Sequence, residues 1–295
     1  MKKDSIRMKK GKGDWEGKKL TIGMDRGDRS SRYCVLGEEG EVLLEESVAT
    51  TQKGLSEACS ALPPSRMAIE TGQHSPWVSR HSSGLGHEVI VAHARNVRLI
   101  GESTRKDDRL DAKTLARLAR IDPALLSPVR HRSAEAQAHL TRIRARAVLV
   151  GARTALVNAI RGLTKAYGER LRKCHPEQIR KELAAELSPE LRTALEPLFQ
   201  EVQSLTERIQ HYDHEIEKIA KQHYPEVAQL QQVNGVGTLI ALTYVLTVDD
   251  PPRFGRSRDL GWHGLNSVAL PALADFALDT DRLSHGRICG RKPSS

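Results

Sequence analysis

Four carboxylates stand where short patterned runs stop or start. Asp25 closes Ile22-Gly23-Met24-Asp25, and Glu70 closes Ala68-Ile69-Glu70 ahead of Thr71-Gly72. Asp108 and Asp111 lie three apart in Lys106-Asp107-Asp108-Arg109-Leu110-Asp111-Ala112, a spacing that puts both on one face of a helix's opening turn. Ionised carboxylates packed together repel, so four in one place make sense with divalent cations between them. An oxygen-only donor set suits Mg²⁺ or Mn²⁺. Two such ions about 4 Å apart can stabilise the attacking and leaving oxygens of an in-line phosphodiester displacement. Taken singly, Asp25 reads as a strand-end turn residue, and Asp108 and Asp111 as a helix cap and dipole partner. Asp28 and Asp107 are the neighbours most easily confused with the four.

Convergence of these acids requires particular elements. Leu20–Met24, Tyr33–Leu36 and Glu41–Leu44 are β-prone runs separated by turn chemistry such as Gly37-Glu38-Glu39-Gly40, which predicts an antiparallel meander. The rhythm then changes: a helix over about 53–60, a strand Arg66–Glu70, a helix over Pro76–Gly84, a strand His87–Val91 and a helix over about 108–119. The order βββαβαβα is that of the ribonuclease-H-like fold, a mixed sheet flanked by helices. With strands one and four adjacent, Asp25 and Glu70 point into one cleft. His74 could face that cleft, although a histidine at a helix start is more often a solvated or capping residue. Arg95 and Asn96 could touch a phosphate, although a plain surface loop is the simpler account.

Between Ala134 and about Gly168 no proline interrupts the chain, and Leu140, Ile143, Ala147 and Val150 recur at helical spacing, as do Leu156, Ile160 and Leu163. This predicts one long helix made basic by Arg142, Arg144, Arg146, Arg153 and Arg161. Such runs are usually solvated faces, but five arginines with few acids between them favour a nucleic-acid track. Leu198, Val202, Leu205, Ile209, Tyr212, Ile216 and Ile219 then form a coiled-coil seam, with Pro197 placed like a first-turn residue and Pro225 after the end. The seam wants another helix, either the first one folded back as a hairpin or its equivalent in a second copy. Gly235-Val236-Gly237 before an apolar stretch suits either a DNA phosphate at a helix N-terminus or a tight turn between packed helices.

With 46 Lys and Arg against 37 Asp and Glu, a net charge of +9 and a pI near 9.5, the chain attracts polyanions. No run approaches eighteen apolar residues and the N-terminus lacks an apolar signal core, which points to a cytoplasmic, nucleoid-associated protein with no membrane contact. Cys34, Cys59, Cys174 and Cys289 form no C-x-x-C pair, so neither a zinc knuckle nor a disulfide framework is suggested. Three Phe, three Trp and five Tyr argue against a base-stacking platform and for phosphate contact by Arg and Lys.

At these residues, over about 19–261, the chain resembles the insertion-sequence 110 family of transposases, relatives of the Piv-type DNA invertases. The resemblance rests on the stretches ending at Asp25 and around Glu70, on Asp108-Arg109-Leu110-Asp111-Ala112, on Arg153–Leu163, and on Gly235-Val236-Gly237 with Asp250-Pro251-Pro252-Arg253-Phe254. It implies a RuvC-like domain over 19–130 whose Asp-Glu-Asp-Asp tetrad maps to Asp25, Glu70, Asp108 and Asp111. It also implies a coiled-coil connector over 131–226 and a partial, mainly α C-terminal transposase domain over 227–261. Residues 1–18 read as a disordered basic tail and 262–295 as an atypical segment. The nucleic-acid contacts expected are Arg142, Arg146, Arg153, Arg161, Gly235 and Gly237. The implied partners are double-stranded DNA, a structured guide RNA and further copies of the chain in a homodimer or homotetramer.

Family members also look to a serine in the C-terminal domain as a covalent nucleophile, and here the sequence departs from the pattern. After Ser257-Arg258-Asp259-Leu260-Gly261 a Gly-Leu-x-Pro segment, a Ser-Gly and a basic Lys-x-Gly-Asn helix are expected. The chain instead reads Gly264-Leu265-Asn266-Ser267 and then nothing comparable. None of Ser267, Ser284, Ser294 and Ser295 sits in a matching context. A reading-frame shift near Trp262 accounts for this and predicts a family-like segment in another frame of the gene. The expectation is therefore a transposase lineage with an inactive product. The alternatives are a non-catalytic nucleic-acid-binding remnant and a RuvC-like structure-selective nuclease.

Overall fold

The computed structural model describes Trp15, residues 17–93 and residues 108–253. It divides into two compact units, one ending at His131 and the other beginning at Arg132. Among the described residues no helix is long and apolar enough to cross a membrane.

The first unit is a five-stranded sheet in the order β3-β2-β1-β4-β5. Its strands are β1 (Thr21–Arg26), β2 (Ser30–Leu36), β3 (Val42–Ala49), β4 (Arg66–Glu70) and β5 (Glu88–Ala92). The first three form the antiparallel meander, and β1, β4 and β5 run parallel. The parallel pairs need crossovers, supplied by α1 (Gln52–Cys59) and α2 (Ser75–Gly84). A third helix, α3 (Asp108–Ile121), follows β5. The arrangement is compatible with a ribonuclease-H-like fold.

Period-two alternation assigns the two faces. Ile22, Met24, Met67, Ile69 and Val91 share a core with Leu55 and Cys59 of α1 and Val78 of α2. Ala68, Ile90 and Ala92 turn the other way and pack with Leu115, Leu118 and Ala119 of α3. Trp15 belongs to the first of these cores and is 5% exposed. The expectation of a disordered basic tail over 1–18 therefore does not hold at Trp15, whose large ring gains from burial in the apolar core. Residues 1–14 lie outside the described residues.

The second unit is helical. Helix α4 (Ala134–Ala166) and helix α5 (Pro189–His223) pair antiparallel within the chain: His139 meets Tyr224, Arg146 meets Asp213 and Arg153 meets Thr206. One end of the pair shares a core with α6 (Glu226–Leu230) and α7 (Thr238–Val248) through Leu140, Ile216, Val227 and Leu242. At the other end Val157, Ile160, Leu195, Phe199 and Val202 pack with Ile179, Leu183 and Leu187 of the turn region.

Helix α5 begins eight residues before the position the seam suggested, with Ser188 as N-cap and Pro189 in the first turn, so Pro197 lies inside the helix. An interior proline costs about 3 kcal/mol. Here Leu191, Leu195, Phe199 and Val202 carry the buried stripe through it, each stabilising by roughly 1.5–3 kcal/mol.

Candidate functional site

The carboxylate site is built on strand register. Met24 pairs with Ile69 across β1 and β4, so Asp25 and Glu70 occupy the next positions on neighbouring parallel strands. Both are half-buried. Asp25 is two residues beyond Gly23, and a Cβ added at Gly23 would stand 2.0 Å from the Ala112 carbonyl and 2.4 Å from the Ala116 nitrogen of α3. Glu70 is two residues beyond Ala68, which packs on α3 as well. By alternation both carboxylates therefore belong to the face that α3 covers. Parallel strands lie about 4.8 Å apart, a spacing at which two carboxylates can share one cation.

The direction of α3 brings the second acidic pair to the same end of the sheet. Arg66, which opens β4, donates to the Ala119 carbonyl near the helix's end, and Arg120 donates to Glu38 in the β2–β3 turn. The helix therefore runs against β1 and β4, with its first turn at the strand ends where Asp25 and Glu70 stand. Asp108 and Asp111 belong to that turn. The Asp111 side chain is exposed, and that of Asp108 lies outside the described residues, as do Arg95, Asn96 and Asp107. Among the described residues no group of three His, Cys, Asp or Glu side chains converges closely enough to hold one ion. The described donors are thus the Asp25–Glu70 pair, whose hard oxygens fit Mg²⁺ or Mn²⁺ better than a softer metal.

Sequence reasoning missed Arg26. Its guanidinium donates to the Glu70 backbone carbonyl and crowds Gly72, where a Cβ would meet Nη2 at 3.1 Å. Burial lowers its pKa, while the charges of Glu70 and Asp25 hold it up. A fixed cation thus sits beside the carboxylate pair. Its place directly after Asp25 was the available signal. His74, the candidate for facing the cleft, is instead committed locally. Its Nδ1 accepts from Trp77 Nε1 at 3.1 Å, which leaves Nε2 to donate to Asp28 at 3.2 Å.

The basic residues of α4 mostly face their partner helix. Arg146 makes a forked contact with Asp213, at 2.5 and 3.2 Å. Arg142 reaches Glu215 at 3.9 Å. Arg153 is 7% exposed and lies between Thr206 and Glu177. Arg161 donates to the Cys174 carbonyl at 2.9 Å. Gly235 takes φ +87° in the tight turn, and Gly237 is the N-cap of α7. Among the described residues, leaving aside the chain neighbours, no heavy atom lies within 4 Å of a Cβ added at either glycine.

Comparison with known proteins fits this geometry. The family model for DEDD transposases of the insertion-sequence 110 type, described as Transposase, matches residues 22–168, from β1 to the end of α4. The chain belongs to this family. It is 30% identical over 246 residues to the transposase for insertion sequence element IS1111A of Coxiella burnetii, an alignment covering 81% of this chain and 66% of that one. It is 29% identical over 251 residues to the transposase for insertion sequence element IS1328 of Yersinia enterocolitica, covering 81% and 71%. The chain thus spans about two thirds of the length of these relatives. The matched region contains all four acids of the proposed tetrad and both units' first elements.

Proposed function

We propose that this chain derives from an insertion-sequence transposase and carries a metal-dependent site for phosphodiester cleavage in double-stranded DNA, formed by Asp25, Glu70, Asp108 and Asp111. The observation that carries the reading is the register of β1 and β4, which sets Asp25 beside Glu70 on the face covered by α3, at the end where that helix begins. Divalent ions bound there would supply Lewis-acid stabilisation of the attacking and leaving oxygens. The chain's own part is to present carboxylate oxygens from two rigid strands and one helix turn, and to keep the Arg26 charge fixed beside them. Side chains on regular elements hold such geometry more tightly than loop residues do.

The antiparallel α4–α5 pair serves in this reading as a coiled-coil connector of 131–226 between the catalytic domain and a partial C-terminal domain of 227–261. The partners are DNA, a guide RNA and further copies of the chain. Residues 262–295 lie outside the described residues. In this reading, the absence from 262–295 of a serine in the family's sequence context is the ground for expecting cleavage without completed strand transfer. The same feature supports the second reading, a non-catalytic nucleic-acid-binding remnant.

The test is a cleavage and strand-exchange assay on duplexes carrying element ends, with Mg²⁺, comparing the protein with Asp25→Asn. The expected result is Asp25-dependent nicking without exchange. No nicking by the protein as given leaves the remnant reading. Robust Asp25-dependent exchange refutes the claim of incompleteness.

A further inference from the structure

Basic side chains cluster beside the end of α4, in a turn region that also carries Glu169, Glu177, Glu182 and Glu186. A cleft of about 740 Å³ lies between the end of α4 and residues 170–176, lined by Arg161, Lys165, Arg170, Arg172, Lys173 and His175. A second cleft of about 330 Å³ shares Arg172 and Lys173 with it and adds Arg180. Among the described residues no acidic side chain lines either one.

Some of these charges are held in place. Arg161 donates to Cys174, Arg172 pairs with Glu186 at 3.4 Å, and His175 lies 3.8 Å from Glu177. Lys165, Arg170 and Lys173 have no ion-pair partner among the described residues and are exposed. The contrast with Arg142 and Arg146, matched across the hairpin by Glu215 and Asp213, is direct.

We propose that this cleft binds the phosphodiester backbone of a single-stranded nucleic-acid segment. Like charges crowded in a concavity repel one another and are relieved by a polyanion. The volume falls in the roughly 300–1,000 Å³ range of ordinary ligand sites, enough for a bent strand. A duplex presents a stiff convex surface, whereas a single strand can fold its backbone inward. Among the described residues no Phe, Tyr or Trp lines the cleft and His175 is its one aromatic ring, so recognition runs mainly through phosphates and is largely indifferent to base sequence. The proposal rests on the reading that this chain acts on nucleic acid, and it adds a contact surface within the helical unit.

The experiment measures fluorescence anisotropy of labelled oligothymidylate, oligouridylate and duplex DNA with the full chain, between about 50 and 200 mM salt. The double variant Arg170→Glu/Lys173→Glu is compared with Lys218→Glu/Lys221→Glu, an equal charge change on exposed positions of α5. The cleft variant is expected to lose at least about tenfold in affinity for one or both single strands, the DNA and RNA arms showing which source it takes. Its salt slope should fall by about 1.4, from two phosphate contacts at roughly 0.7 each. The control should change little, and both variants should melt as the parent does. Equal weakening by both variants, no weakening by the cleft variant, or an equal loss for duplex and single strands overturns the proposal. A parent protein that binds none of the three probes instead overturns the broader nucleic-acid reading.

Discussion

The two units use charge in opposite ways. In the sheet unit, acids gather at one end, and their positions follow from backbone register and from a helix that lies directly against a glycine. In the helical unit, most charges on facing surfaces are matched across the hairpin, and the unmatched ones collect where the hairpin turns. A sheet flanked by a close-packed helix can hold like charges at fixed spacing because its backbone cannot relax away from them. A helix pair cannot impose that, so the seam is apolar and its basic residues find acids. The lesson is that arginine count along a helix does not show which of those charges pair with acids after folding.

The contrast can be broken or sharpened by substitution. The largest effect belongs to the carboxylates. Asp25→Asn or Glu70→Gln should lower Mg²⁺-dependent cleavage by about 10³-fold or more while leaving the melting temperature unchanged, as measured by single-turnover nicking and calorimetry. Next comes Phe199→Ala, which removes a fully buried ring from the turn-side core of the hairpin. It should cost about 3–5 kcal/mol in urea unfolding and leave the sheet unit's hydrogen-exchange protection intact. Gly23→Ala should destabilise the sheet unit by about 3 kcal/mol, because the new methyl collides with the α3 backbone and not with a yielding side chain.

The smallest effect concerns pH. His87 is buried, its Nδ1 accepting from the Ser65 N–H at 3.2 Å and its Nε2 directed at the Cys59 carbonyl at 3.3 Å, and burial lowers its pKa from 6.5. A histidine kept neutral in the folded state contributes nothing adverse above its unfolded pKa. As pH falls below about 6.5 the unfolded chain takes up the proton first, so stability declines. Urea midpoints of the sheet unit should therefore fall on acidification, and His87→Gln should flatten that fall.

Much of the sheet unit was legible in the residues. The runs ending at Met24, Leu36 and Glu70 are short apolar stretches bounded by polar or turn residues and buried on both faces, and β4 and α2 lie within a residue of their expected bounds. The adjacency of β1 and β4 followed from the element order. Strand β3 runs five residues beyond Leu44, to Ala49, because Glu45, Glu46 and Ser47 pair by backbone where no apolar pattern marks them. The start of α5 was placed at Pro197 because the seam was clearest beyond it. The structure instead caps the helix at Ser188 with Pro189 in the first turn, ahead of the apolar seam. Spacing could not show which way the α4 arginines face, since that depends on where Asp213 and Glu215 come to lie after folding. Arg26 escaped notice for the same reason: its relation to Glu70 exists only once β1 and β4 pair.

The most direct test of the carboxylate account is Mn²⁺ binding followed by electron paramagnetic resonance on the full chain, its Asp25→Asn and its Glu70→Gln variants. The account predicts saturable binding by the parent and at least about tenfold weaker binding by each variant. Binding that is undiminished in both variants would show that the ion sits elsewhere and that these two strand ends do not form the site.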